Sequence, residues 1–557
     1  MGLGAVARRN FSANASIALA RTNSLPREFA RPRNGSQYPV DSLRLLRPPI
    51  PLVLQRAFEE HIVALKIALS PTAPERARAV LIALPVAAGA NLAGAAASLD
   101  ALLEGAPSAA LKFAGFTGKL GETQIVVGGQ GVTAKAVLLV GIGKANDLTL
   151  DGIRKIGAAI ARRSRTSKSV AVAVLSGLSK SLDATDALSA LAEGIVLGNY
   201  QYLKFKSDPK RSQLTTVAIL GAAGARAQTA LDAAIVGANA TCWARDMVNE
   251  PSAGKSPADM VAAATKLLRG KSVKIDAWSG VELTRRKLMG TVTVGQGSKR
   301  PPQFLRMEYA PKGARTTIAL IGKGVVFDSG GYSLKPSSGM EQMKTDMGGG
   351  AAVIAAMSVL ADLGVRSRVV AYVPLVENMI GGNAYRLGDV ITYRNGKTVE
   401  VMNTDAEGRL ILADALALAS EESPDAMINL ATLTGACMVA LGPKIAGILG
   451  NNEAWITQVK SASERSGEPL WQLPLPGEYR KMLDSEIADM KNVGGSYGGA
   501  VTAGLFLQEF VGKVAWAHLD IAGPARAEAD DGYLVRGGTG FGVRTLIELV
   551  QGFRKPR

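Results

Sequence analysis

Histidine is almost missing from this chain: 557 residues hold two, His61 and His518, at opposite ends. A zinc site built from imidazoles, or a Ser-His-Asp triad, is therefore close to excluded. Cysteine is as scarce. Cys242 and Cys437 lie far apart and at no metal-ligand spacing, so a disulfide framework is excluded. Two buried structural thiols in a reducing compartment are expected. Aromatics make up 5%, and no run of five or six like charges occurs, which weighs against a dedicated nucleic-acid binder. Residues 79–99 carry no charge, yet Pro85, Gly89, Asn91 and Gly94 interrupt them and much of the rest is alanine. A strand over 79–84, a loop and a helix are expected there rather than a membrane span.

What is present is a large, basic, apolar-rich chain, 47% hydrophobic and 20% charged with a formal charge of +17. Two or more cores are expected at this length. Residues 1–56 supply nine Arg, no Lys, one Asp and one Glu. Residues 1–50 read as a poorly ordered basic extension without periodicity. The expected compartment is the cytoplasm. Arg8-Arg9-Asn-Phe11 has a faint twin-arginine character, and an Arg-rich, acid-poor stretch also suits an organelle presequence, so import or export stays an open alternative.

From about 55 to 222, apolar runs at 79–84, 123–127, 136–142, 170–175 and 216–220 alternate with helical patterns at 151–163 and 185–198. This argues an α/β domain with a partly parallel sheet. An Ala-rich helix follows over 226–249 and Pro251 stops it. The α/β pattern then resumes, with strands at 315–321, 368–373, 426–430 and 514–519. The expected partition is an extension over 1–50, an α/β domain over 51–225, a linking helix over 226–250 and a second α/β domain over 251–557.

Three segments of the second half carry chemistry. The first is Lys323-Gly-Val-Val-Phe-Asp328 with Lys335 beyond it. An apolar strand needs a reason to hold a lysine and an aspartate, because a buried ammonium is costly while a deprotonated lysine can ligate a metal. The second is Met343-Lys-Thr-Asp346, ahead of Gly348-Gly-Gly350 and a helix over 351–363. The third is Asn403-Thr-Asp405-Ala-Glu407-Gly-Arg409, between a strand over 399–402 and a helix over 410–420. Each has a plain structural reading alone: Lys323 as a surface lysine, Asp346 as a helix N-cap, Asp405 and Glu407 as helix-start acids. Together, Asp328, Asp346, Asp405 and Glu407 balance two divalent cations, and a neutral Lys323 leaves that balance intact. Oxygen-rich sites suit Mn, Mg or Zn, and paired metals activate a bridging water. Lys335 and Arg409 stand as cations for electrostatic stabilisation of a tetrahedral intermediate.

These segments resemble the leucyl aminopeptidase (cytosol aminopeptidase) family of dinuclear metallopeptidases. Asn-Thr-Asp-Ala-Glu-Gly-Arg-Leu at 403–410 matches the family's signature octapeptide, and 322–331 with Lys335-Pro336 match its first metal segment. Similarity continues through 431–436, 499–503 and 516–523. The resemblance implies a macro-like N-terminal α/β domain, a linking helix, and a catalytic α/β domain with a central mixed sheet. It implies a metal-dependent aminopeptidase that trims leucine and other apolar residues from peptide N-termini, assembled as a homohexamer.

By position it implies two divalent ions, Mn²⁺ or Zn²⁺. Asp328 and Glu407 would bridge them, Lys323 and Asp346 would complete one site, and Asp405 the other. Lys335 would polarise the substrate carbonyl. Arg409 would hold a bicarbonate ion as general base. Met343, Asn403, Thr432 and Gly435 would line the substrate pocket. Tyr332 and Leu334 replace residues that are usually smaller or β-branched in the family. His518 is expected in a core or interface strand. Nucleic-acid binding, which some members combine with peptidase activity, is an accessory expectation resting on the charge and on Lys204, Lys206, Lys210 and Arg211.

Overall fold

Apolar strand runs alternating with amphipathic helices produce two separate sheets in the computed structural model, which describes residues 65–129, 131–178 and 182–557. The basic extension over 1–50 and His61 lie outside the described residues.

The first sheet has the order Lys66–Ser70, Thr216–Leu220, Ser169–Val172, Leu81–Ala87, Ala136–Gly143, Thr123–Val127, with Asn91–Leu92 paired beside Leu81–Ala87. Its central pairings are parallel and its Thr123–Val127 edge antiparallel. Helices Leu150–Arg163 and Ala184–Asn199 supply the covering layer. Asp183 caps the second helix through the amides of Thr185 and Asp186. Two details depart from the sequence reading. Strand Leu81–Ala87 runs straight through Pro85, because pairing to Ser169–Val172 stops at Ala83 and the missing N–H removes no ladder bond on that side. Residues 174–177 form a 3₁₀ turn instead of prolonging the strand.

Helix Ala225–Asn249 joins this layer to the second sheet and ends just ahead of Pro251. The second sheet is mixed, in the order Leu470–Gln472, Ala446–Gly450, Trp516–Asp520, Ala426–Ala431, Thr317–Gly322, Arg368–Asn378, Gln303–Tyr309, Val273–Ser279. Gly324–Asp328 adds in parallel to the far end of Arg368–Asn378. The central strands read as continuous apolar runs because both faces are buried. One face packs on helix Gly348–Met357, the other on helix Glu407–Glu421.

The triple glycine has a packing role. A Cβ on Gly349 would sit 2.1 Å from the Leu430 carbonyl oxygen, so only glycine lets this helix lie against the strand ends. The helix consequently starts at Gly348, three residues earlier than its apolar pattern suggests, and ends at Met357.

A seam of buried polar contacts fixes the first α/β layer on the second. Arg245, with no exposure, donates to the carbonyls of Thr539 at 2.9 Å, Leu197 at 3.0 Å and Tyr533 at 3.2 Å. Arg154 pairs with Glu193 at 2.6 Å and donates to the Arg465 carbonyl at 2.6 Å. No helix among the described residues is long and apolar enough to cross a membrane. Both cysteines are free, Cys437 buried and Cys242 half-buried.

Candidate metal centre

The parallel strands of the second sheet end at one rim, and the three chemical segments meet there. Lys323 falls between strands Thr317–Gly322 and Gly324–Asp328, and it is buried rather than a surface residue. Asp328 closes the second of these strands. Glu407 and Arg409 stand in the first turn of helix Glu407–Glu421, which starts three residues before its apolar pattern. Asp346 does not cap helix Gly348–Met357. Met347 holds that position without a side-chain cap bond, and Asp346 instead closes the 3₁₀ turn Met343–Thr345 with its carboxylate turned toward Lys323.

Two lysines each bridge two acids. Lys323 Nζ lies 2.7 Å from Asp346 Oδ1 and 2.8 Å from Glu407 Oε1, and donates to the Thr432 carbonyl at 2.9 Å. Lys335 Nζ lies 2.9 Å from Asp328 Oδ2 and also pairs with Asp405. Carboxylate oxygens of Asp328, Asp405 and Glu407 approach one another within 4.8 Å. Gly408 makes room for this arrangement, since a Cβ there would be 2.6 Å from Lys323 Cε.

Four acids against two lysines leave an excess of negative charge in a dry site. Burial, reinforced by Glu407, pushes Asp328 up to about 7. Burial likewise raises Asp346 well above the usual carboxylate range, and raises Asp405. Burial also acts to raise Glu407, but Lys323 and Lys335 outweigh it and hold this carboxyl low. Burial acts to lower the Lys323 ammonium, yet Asp346, Glu407 and Asp328 overcome that and raise it.

The donor set fits divalent cations. Asp346 Oδ2 and Glu407 Oε2 are buried and accept no hydrogen bond, although a buried acceptor without a partner is costly. Carboxylate oxygens in excess negative charge are what hard or borderline cations bind.

Surrounding residues aim the acids. Asn378, which is fully buried, donates to Asp328 Oδ1 at 2.8 Å and to the Thr404 carbonyl at 2.9 Å. Tyr385 donates to the same carbonyl at 2.7 Å. Gly330, at φ +85°, presents its amide to Asp328 Oδ1 at 2.8 Å. Thr432 Oγ1 donates to Asp346 Oδ1 at 2.7 Å. Asn403 Oδ1 accepts the Asp405 amide at 2.7 Å, so its side chain shapes the acidic turn from within. Asn492 in turn accepts from the amide of Met402 and donates to the Asn403 carbonyl at 2.7 Å.

Arg409 is 6% exposed, donates Nη1 to the Asn492 carbonyl at 2.8 Å, and leaves Nε without an acceptor; burial lowers it to about 10. Met343 is half-buried beside Asp346. Gly435 opens helix Gly435–Leu441 with no atom within 4 Å of where a Cβ would be. His518 lies in the core, its Nδ1 2.8 Å from Asn429 Nδ2, and burial lowers it to about 3. It is a neutral strand residue with no acid beside it among these contacts.

Sequence reasoning missed Asn378, Tyr385, Thr404 and Asn492. Only Thr404 left a signal, since it stands within the 403–410 stretch that carries Asp405 and Glu407.

Comparisons with known proteins agree with this geometry. The profile of the cytosol aminopeptidase family's catalytic domain matches residues 242–547, and that of its N-terminal domain matches 83–209. A probable cytosol aminopeptidase of Alkaliphilus metalliredigens is 40% identical over 448 residues, 79% of this chain and 90% of its own. One from Streptomyces griseus is 40% identical over 514 residues, covering 88% and 98%. Among solved structures, tomato leucine aminopeptidase superposes with a TM-score of 0.80 at 34% identity, covering 88% of this chain and 97% of that one. The bottromycin maturation enzyme BotP, in complex with manganese, gives 0.77 at 36% identity, covering 85% and 99%.

Proposed function

The chain belongs to the cytosol aminopeptidase family, and from that premise we propose a specific division of labour at its metal centre. The protein is a metal-dependent hydrolase that releases amino acids from peptide N-termini. In our reading Lys323, Asp328, Asp346, Asp405 and Glu407 hold two divalent ions, Mn²⁺ or Zn²⁺. When bound, such ions supply Lewis acidity and an activated water. The observation that carries the assignment is the pair of buried carboxylate oxygens, Asp346 Oδ2 and Glu407 Oε2, that nothing in the protein satisfies.

The remaining steps belong to the chain. Lys335, a cation held against Asp328 and Asp405, faces the scissile carbonyl and stabilises negative charge as it develops. Arg409, whose Nε–H has no acceptor, would hold a bicarbonate ion, which when bound would supply a general base in a site without histidine. Met343, Asn403, Thr432 and Gly435 line the pocket for the first side chain, which favours leucine and other apolar residues. That preference is shallow, because one methylene in such a pocket is worth about 1–3 kcal/mol.

The same reading includes the partition into an N-terminal macro-like domain over 51–225, a linking helix over 226–250 and a catalytic domain over 251–557. It includes a homohexamer, supported by exposed apolar groups on and around helix Gly435–Leu441: Met438 at 45%, Val439 at 87% and Tyr497 at 84%. A cytoplasmic location fits the relatives' descriptions. Accessory nucleic-acid binding has weaker support, since Lys204 is engaged by Glu250 at 2.8 Å while Lys206 and Lys210 are exposed.

Hydrolysis of leucine p-nitroanilide and of its internal-peptide analogue, before and after chelation, tests the function. Turnover that is lost on chelation, regained with manganese and absent on N-blocked substrate is expected. Undiminished turnover after chelation contradicts it.

A further inference from the structure

Lys255 is buried to 2% exposure, more deeply than either lysine at the rim, and the metal centre makes no use of its charge. Among the described residues it pairs with no carboxylate. Its Nζ donates instead to two main-chain carbonyls, Met247 at 2.7 Å and Lys344 at 2.8 Å.

Both acceptors have a local reason to need it. Met247 sits in the last turn of helix Ala225–Asn249, where carbonyls lose their intrahelical donors. The donor it would ordinarily use is the amide of residue 251, and Pro251 has none. A cation beside this helix end also meets the negative pole of the helix dipole. Lys344 is the middle residue of the 3₁₀ turn Met343–Thr345, which leads directly into Asp346. The same turn is tied a second time to the same helix end, where Lys344 Nζ donates to the Asn249 carbonyl at 2.8 Å.

The anchor of Lys255 is itself rigid. Its amide accepts a place in the turn Ser252–Gly254 by donating to the Ser252 carbonyl at 3.2 Å. The next residue, Ser256, opens helix Pro257–Leu268 through a reciprocal capping box with Asp259. A fixed backbone, one long buried stem and two carbonyls that share one donor make a clamp rather than a loose contact.

We propose that Lys255 is a positioning residue that fixes the Met343–Asp346 turn against the end of the linking helix, and through it sets the pocket wall and one metal ligand. The turn's other end is held at Asp346 by Lys323 and Thr432. With Lys255 removed, that outer hold remains, but among the described residues the tie of Met343 and Lys344 to the helix end falls to the more solvent-accessible Lys344–Asn249 hydrogen bond. Burial, with the Lys344 charge beside it, lowers Lys255 to about 7, which reflects how far from water this clamp sits. The proposal rests on the assignment of Asp346 and Met343 to metal and substrate, and its test separates the two.

Lys255→Met keeps the stem and deletes the donor. In the chelated protein, amide exchange over 343–347 is expected to quicken about tenfold while 323–328 stays unchanged, as loss of one buried hydrogen bond implies. In calorimetry the manganese Kd is expected to weaken about tenfold, and KM for leucine p-nitroanilide to rise more than kcat falls at saturating metal. Exchange and Kd equal to the unmodified protein overturn the proposal. Should the unmodified protein take up no manganese, the metal assignment fails, and the exchange comparison still decides the clamp. Should Lys255→Met not fold, native-state exchange of the unmodified chain decides. Residues 247–256 and 343–347 opening in one cooperative unit supports the clamp, and independent opening overturns it.

Discussion

The rim and the seam are both buried and both charged, yet they treat polar atoms in opposite ways. At the seam, Arg245 finds three carbonyls and Glu193 accepts from Arg154 Nε at 2.6 Å. The groups left over there are guanidinium N–H atoms of arginines already engaged, such as Arg154 Nη1 and Arg544 Nε. At the rim, four acids outnumber two lysines, and the leftover atoms include carboxylate oxygens, Asp346 Oδ2 and Glu407 Oε2, beside Asn378 Oδ1 and the Arg409 Nε–H. A structural polar cluster completes its own acceptors. A site built for a cation keeps acceptors open, at a cost in stability that bound cations offset.

The sharpest break of this contrast is Glu407→Ala. It should lower kcat/KM by at least about a thousandfold, because in the proposed assignment Glu407 would be shared by both ions. Circular dichroism should show an unchanged fold. Activity within tenfold of normal would place the chemistry elsewhere.

The next effect is on pH dependence. Burial sets Asp328 and Asp414 at about 7 in the folded chain, against 3.8 as the ordinary aspartate value. A carboxyl raised on folding contributes stability below its unfolded value and loses it as pH rises through the folded one. Chelated protein should therefore weaken between about pH 4 and 7.5, Asp414 contributing at most about 4 kcal/mol. Manganese should abolish the share due to the rim acids Asp328, Asp346 and Asp405, and leave that of Asp414, whose partners are Thr291 and the Gly290 amide. Urea titrations at several pH values, with and without metal, read both shares.

At the seam, Arg245→Ala should cost about 3 kcal/mol or more in chemical denaturation, since three carbonyls lose a charged donor. Turnover per folded molecule should stay the same. Gly408→Ala should do the reverse. Its Cβ displaces the flexible tip of Lys323, so the fold persists while activity drops by roughly a hundredfold. Smallest of all, breaking the half-exposed Lys271–Asp362 pair should shift stability by less than about 0.5 kcal/mol.

The sequence made the rim legible because its residues break local patterns. Lys323 and Asp328 interrupt an apolar strand, and Asp405, Glu407 and Arg409 crowd one short turn. Both α/β layers and the linking helix were readable from periodicity and from Pro251. The supporting contacts were not. Asn378 reaches Asp328 across 50 positions, and Lys255 reaches Lys344 across 89. Their neighbours in sequence give no hint of those encounters. The role of Gly349 was equally hidden, because close helix-to-strand approach is a tertiary constraint with no local signature. Helix starts at Gly348 and Glu407 escaped for a related reason: the first turn carries packing glycines or ligands in place of an apolar stripe.

Anomalous diffraction from crystals equilibrated with manganese tests the central claim most directly. Two peaks at the rim are predicted, one touching Lys323 Nζ and Asp346, both touching Glu407 and Asp328, and neither touching His518. No peak among Lys323, Asp328, Asp346, Asp405 and Glu407, or a single ion held by imidazole, would contradict the account.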